Sequence, residues 1–154
     1  VSYRQFLPPS SFKYMMMIGK LLINTKNKEK FEENEKKGLN EKAKNHEMIH
    51  VKQAVNKKNS WLLFYLSYFW MWLKNIPLFN GFEFPYKFIA FEMEAFYFEN
   101  DMEYIKNNEN GCSNYQYFDS LSLKEKKRLY NEYKAMKKEK YISYHNFLKL
   151  KYSL

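Results

Sequence analysis

His46, Glu47 and His50 stand in one pentapeptide, His-Glu-Met-Ile-His, and account for two of the three histidines in the chain. Residues four apart on an α-helix lie one turn apart on the same face, so these two imidazoles can be aimed at one metal ion. Zn²⁺ accepts such nitrogen ligands. The neighbouring carboxylate of Glu47 would face the remaining coordination position and could take a proton from a water held there. The chemistry this spacing allows is hydrolysis. Two ligands do not complete a site, and a third must come from elsewhere in the chain. Taken alone, the pattern also fits two histidines that cap or fill a helix by chance.

The helix that must carry the pentapeptide is expected from Asn40 or Glu41 to about Lys57. Its apolar residues Met48, Ile49, Val51, Ala54 and Val55 point in most directions around the axis, as in a helix packed on several sides. That arrangement buries the histidines. Gln53 follows His46 by seven residues, close to two turns, so its amide falls on the same face. It either orients a ligand from behind or satisfies a nearby carbonyl.

A second helix is expected from roughly Tyr86 to Lys106, where acidic residues are embedded among Phe91, Met93, Phe96 and Phe98. Buried carboxylates are costly unless a cation or hydrogen bonds compensate. Glu92 and Glu99 are seven apart and share a face, with Ala95 between them permitting close approach of a neighbouring helix. Glu94 points about 160° away from Glu92.

Arranged in this way, the chain resembles the zinc metallopeptidases that pair a His-Glu-x-x-His helix with a downstream glutamate ligand, the gluzincin-like arrangement. The segment His46-Glu47-Met48-Ile49-His50-Val51-Lys52-Gln53 is similar to the His-Glu-x-x-His-x-x-Gln helix of small bacterial and phage members. Phe91-Glu92-Met93-Glu94-Ala95 is similar to their second block, and to the Glu-x-x-Ala-Asp helix of integral-membrane peptidases with the same site. The resemblance implies a compact, mainly α (α+β) zincin-like domain with a short N-terminal strand or hairpin. It implies Zn²⁺ held by His46, His50 and Glu92, with Glu47 as general base in hydrolysis of an amide bond. Phe96 stands where those peptidases carry an aspartate, so that carboxylate is either missing or supplied by Glu99. A peptide or a cell-wall cross-link is the implied class of substrate. No residue can be assigned to the oxyanion; several tyrosines and His145 have suitable chemistry.

The other elements are expected to frame this pair of helices in a single domain of 154 residues. Residues 1–24 read as an extended or strand segment. Pro8 and Pro9 exclude regular helix there, and the runs Met15 to Ile18 and Leu21 to Ile23 flank Gly19-Lys20 like a hairpin, though a helix is also compatible. Lys26 to Lys44 reads as an exposed, charged connection with Gly38 as a breaker. Residues 40–106 hold the metal-site helices. Between them, Trp61 to Leu73 is the most apolar segment, too short to span a membrane and expected as a buried helix, with its Trp and Tyr content leaving membrane-surface contact open. Asn75 to Pro85 and Asn107 to Ser120 read as loops. Residues 120–154 are expected as basic C-terminal helices, the first opened by a Ser122–Glu125 capping box and striped by Leu129, Tyr130, Tyr133 and Met136. His145 lies there without a surrounding motif and suits a surface or packing role.

Composition narrows the remaining possibilities. Cys112 is the only cysteine, so no internal disulfide or cysteine metal cluster exists. The net charge of +9 invites an anionic partner, but lysine far outnumbers arginine and the enriched residues share A/T-rich codons. No specific nucleic acid is expected. No signal peptide is evident, since Gly19 and Lys20 interrupt Met15 to Ile23, and a cytoplasmic or virion-associated location is favoured. A different class of function stays open: a non-catalytic structural or assembly subunit, for example of a phage particle, that keeps the peptidase-like fold and metal site and has protein partners.

Overall fold

The computed structural model describes residues 2–3, 14–17, 20–23, 28–78 and 86–154. Among them the chain is mainly helical. The apolar runs near the N-terminus pair as strands: β2 (Tyr14–Met17) runs antiparallel to β3 (Lys20–Ile23), and β1 (Ser2–Tyr3) adds to the other edge of β3 in parallel. The order is β1-β3-β2, with Met15 opposite Leu22 and Met16 opposite Leu21. The sheet lies against α2 (Glu41–Asn56), the helix of the pentapeptide.

Helix α1 (Lys28–Lys36) occupies part of the segment expected as an exposed connection. Its charged residues do face water, but Phe31 is buried with Ile23 and Ala43, and that contact is enough to seat the helix. Gly38 ends it in the left-handed region at φ +71°, where a residue with a Cβ is strained. The chain then turns into α2.

After α2, Lys58 and Asn59 both take positive φ, and Ser60 caps α3 (Trp61–Asn75) by accepting from the Leu63 amide. The inner face of α3 packs through Phe64, whose ring stacks on Phe91 at 4.8 Å. The expectation of a buried helix is corrected here. Only Phe64, Met71 and Asn75 are buried, while Leu62, Leu63, Tyr65, Leu66, Phe69 and Trp70 are exposed. An all-apolar sequence carries no phase, and only the neighbours decide which stripe is covered. A 3-10 turn, Ile76–Leu78, follows. The rest of the expected Asn75–Pro85 loop lies outside the described residues.

The centre of the domain is α4 (Ala90–Phe98), in which every residue except Phe96 is buried. It packs against α2, against α6 (Tyr115–Ser120) and against α8 (Tyr144–Lys151). Burying side chains such as Phe91 and Met93 contributes about 1.5–3 kcal/mol each, so α4 is where the fold gathers its hydrophobic stabilisation. The long helix expected to Lys106 is instead two. Asn45 of α2 aims its side-chain NH₂ at the carbonyls of Phe98, Glu99 and Asp101, and Asp101 in turn accepts from the amides of Glu103 and Tyr104. Those contacts stop α4 and start α5 (Tyr104–Asn107).

Part of the expected 107–120 loop is α6. Ahead of it, Gly111 sits at φ +120° directly over the end of α2, where a Cβ would come within 2.7 Å of the Asn56 nitrogen. The Cys112 amide then donates to the Lys52 carbonyl. Helix α7 (Leu123–Lys140) opens with both halves of the Ser122–Glu125 capping box in place and buries Leu129 and Tyr133. Helix α8 inserts Tyr144, Phe147 and Leu148 into the core.

Candidate metal centre

Three side chains from two helices converge in the interior. His46 Nε2 lies 3.2 Å from Glu92 Oε2, and His50 Nε2 lies 3.2 Å from Glu92 Oε1. One ligand atom from each residue falls within 4.8 Å of the other two, and all three residues are buried. Helical geometry accounts for the convergence: the histidines are one turn apart on α2, and α4 crosses beside them with Glu92 in its first turn. Ligands held at about 2.0–2.1 Å around a tetrahedral ion stand about 3.4 Å apart; the two His–Glu spacings of 3.2 Å match that edge, and the set as a whole, within 4.8 Å, would have to draw in around an ion. Two imidazoles and one carboxylate would supply three of the four positions of a tetrahedral ion.

Each histidine is held from behind at Nδ1, and the two supports differ. His46 Nδ1 faces Glu99 Oε2 at 3.4 Å, while the other oxygen of Glu99 pairs at 3.0 Å with the exposed Lys42. His50 Nδ1 donates to Gln53 Oε1 at 2.7 Å. The Gln53 NH₂ donates to the Phe91 carbonyl at 2.9 Å and to Glu94 Oε2 at 2.6 Å. Gln53 therefore uses its oxygen on His50 and its nitrogen on a carbonyl and a carboxylate. With Nδ1 engaged on both rings, Nε2 is the atom each presents to the centre.

Behind Gln53 the network continues. Glu94, fully buried, also accepts from the Tyr104 hydroxyl at 2.7 Å and from the backbone amides of Asn114 and Tyr115. The Tyr104 oxygen accepts from Asn114 at 2.8 Å. Glu94 thus faces away from the centre, as the helical angle predicts, and anchors the amide that positions His50. Burial pushes its carboxyl up despite these donors.

The charges in the centre are tightly linked. Burial alone would lower His46, but hydrogen bonds to Glu92 and Glu99 and the charges of Glu92 and Glu47 raise it from 6.5 to about 10. His50 is raised in the same way, against burial and against the charge of His46, by Glu92 and Glu47. Burial would raise Glu92, and the two histidines overcome it and hold the carboxyl well below its ordinary range. An environment that gathers this much opposite charge in the core is one that a divalent cation would satisfy.

Glu47 is half-buried, and its charge acts on both histidines and on Tyr68 and Tyr86. Those two tyrosines are neighbours of the centre that the sequence does not single out. The Tyr68 hydroxyl donates to Glu92 Oε1 at 2.9 Å, and Tyr86 also hydrogen-bonds Glu92. Tyr68 sits in a run of aromatic residues and Tyr86 at a helix entrance, so neither carries a signal that separates it from core filling. Phe96, at the position where the resemblance leads one to expect aspartate, turns its ring against His46 at 4.6 Å, and Glu99 supplies a carboxylate to that histidine. His145 stays outside the centre; its Nδ1 donates to the Phe96 carbonyl at 2.8 Å, a packing role.

Comparison with protein-family models, with curated proteins and with solved structures finds no match to this chain.

Proposed function

We propose that the chain is a zinc-dependent hydrolase of amide bonds, with His46, His50 and Glu92 as ligands and Glu47 as general base. The observation that supports this reading most is the buried convergence of the three ligand side chains beside Glu47. When bound, zinc supplies a Lewis acid that acidifies a water and polarises a carbonyl. Glu47 accepts the proton of the attacking water and returns it to the departing amine. Glu99 and Gln53 keep the two imidazoles aimed, and Tyr68 and Tyr86 hold the Glu92 oxygens in place.

The test joins metal analysis to hydrolysis. Protein loaded with zinc and freed of excess should retain one equivalent, and His46→Ala or His50→Ala should lose it. Fluorescently labelled casein and purified peptidoglycan serve as probes of the two amide classes. Glu47→Gln should keep its zinc and lose cleavage. Zinc retention with neither probe cleaved by the native chain would favour the non-catalytic assembly subunit; no zinc retention would end both readings.

A further inference from the structure

We propose that the outer face of α3 is a docking surface for the anionic face of a lipid bilayer. Trp61 to Leu73 contains no charged residue, and on a helix of 3.6 residues per turn Leu62, Leu66, Phe69 and Leu73 form one row. Leu63 and Trp70 flank that row on one side and Tyr65 on the other. Leu62 is 69%, Leu66 56%, Phe69 56% and Trp70 61% exposed, so more than two turns of large apolar side chains meet the solvent together, with Leu73 half-buried at the end of the row. A contiguous patch of this kind marks an interaction site rather than scattered surface residues.

The charge around the helix selects the occupant. Between Glu47 and Glu83 there is no aspartate or glutamate, while Lys52, Lys57, Lys58 and Lys74 all occur. Lys57 and Lys58 form the turn that enters α3, and Lys74 stands at its other end, paired with Asp119. Lys57 turns its ammonium over the Tyr115 ring at 5.2 Å, so Lys58 is the exposed cation of that turn. An apolar, Trp- and Tyr-bearing helix face on a chain of net charge +9, entered through an exposed lysine, is the pattern of a helix lying in the membrane interface. A second copy of the chain fits less well. Two-fold pairing of α3 would set Lys57 and Lys58 against the same lysines or against Lys74 of the other copy, with no carboxylate in the segment to answer them. No described helix is long and apolar enough to cross a membrane, so the contact would be on the surface. It is independent of the metal centre, which uses the opposite face of α3 through Tyr68.

All three tryptophans of the chain, Trp61, Trp70 and Trp72, lie in α3, so tryptophan emission, excited at the red edge where tyrosine does not absorb, reports on this helix alone. Vesicles of phosphatidylcholine containing about one-third phosphatidylserine should shift the emission to the blue and sediment the protein, an effect weakened by salt. Pure phosphatidylcholine should bind at least about tenfold less. The double variant Leu66→Glu, Phe69→Glu should lose at least about tenfold in partitioning while keeping the native circular dichroism and melting temperature, since both residues are exposed. Equal binding to both vesicles, no binding to either, or a dimer that this double variant dissociates would each overturn the proposal.

Discussion

The Gln53 amide joins two glutamates that face opposite ways: its NH₂ donates to Glu94 at 2.6 Å, and its oxygen holds the His50 ring that meets Glu92. His50 on α2 is thereby aimed by a carboxylate of α4 that never touches the centre.

Replacing Gln53 by Leu removes the support of His50 and leaves Glu94 without one of its donors. Zinc affinity should fall by about 10–100-fold, measured by competition against a chromophoric chelator. Glu94→Leu should act mainly on stability. It leaves the Gln53 amide, the Tyr104 hydroxyl and two backbone amides without their acceptor, a loss of about 3 kcal/mol or more in urea unfolding of the metal-free protein.

Glu99→Gln tests the other support. The substitution keeps the shape beside His46 but replaces the carboxylate whose hydrogen bond helps to raise its pKa with a weaker neutral acceptor. In the metal-free protein His46 should titrate lower than in the native chain, which NMR of the imidazole resonances would show. Zinc affinity should also fall, and Lys42→Ala, which acts on the same carboxylate from the exposed side, should have the smaller effect.

The pH dependence of the metal-free protein follows from two opposite shifts. His46 is raised from 6.5 to about 10, so its contribution is complete below about pH 6.5 and is lost as pH rises toward 10. Glu92 is lowered from 4.5, so its contribution is complete above that pH and is lost on acidification. From this ion pair, stability should be greatest between about pH 4.5 and 6.5, as measured by thermal melts across buffers. Zinc must displace imidazole protons, so its affinity should rise with pH over the alkaline side of that window, by about tenfold per unit for each proton released.

Gly111→Ala should destabilise the protein by about 2 kcal/mol or more. A Cβ at φ +120° would press on the backbone of Asn56 at the end of α2. Chemical denaturation with and without zinc would check the magnitude, and the loss should be present in both.

The metal-site helices differ in how plainly their residues announce them. Helix α2 runs within a residue of its expected bounds because its apolar periodicity and the turn at Gly38 act locally. The capping box of α7 was equally plain, since Ser122 and Glu125 need only each other. The division of α4 from α5 was not readable, because Asn45 imposes it from 53 or more residues away. Helix α1 was hidden by its charge, with Phe31 as its single buried anchor. At the centre, His46, His50 and Glu92 could be paired from spacing and resemblance, whereas Tyr68 and Tyr86 depend on how α3 and the start of α4 pack.

Asn45 precedes His46 and grips the three carbonyls around which Glu99 is carried. The end of α4 cannot fray without releasing the root of His46 and the carboxylate behind it. In hydrogen exchange, the amides of α2 around His46 and those at the α4–α5 junction should therefore open as one cooperative unit. Occupancy of the centre would then slow the exchange of a turn that contributes no ligand.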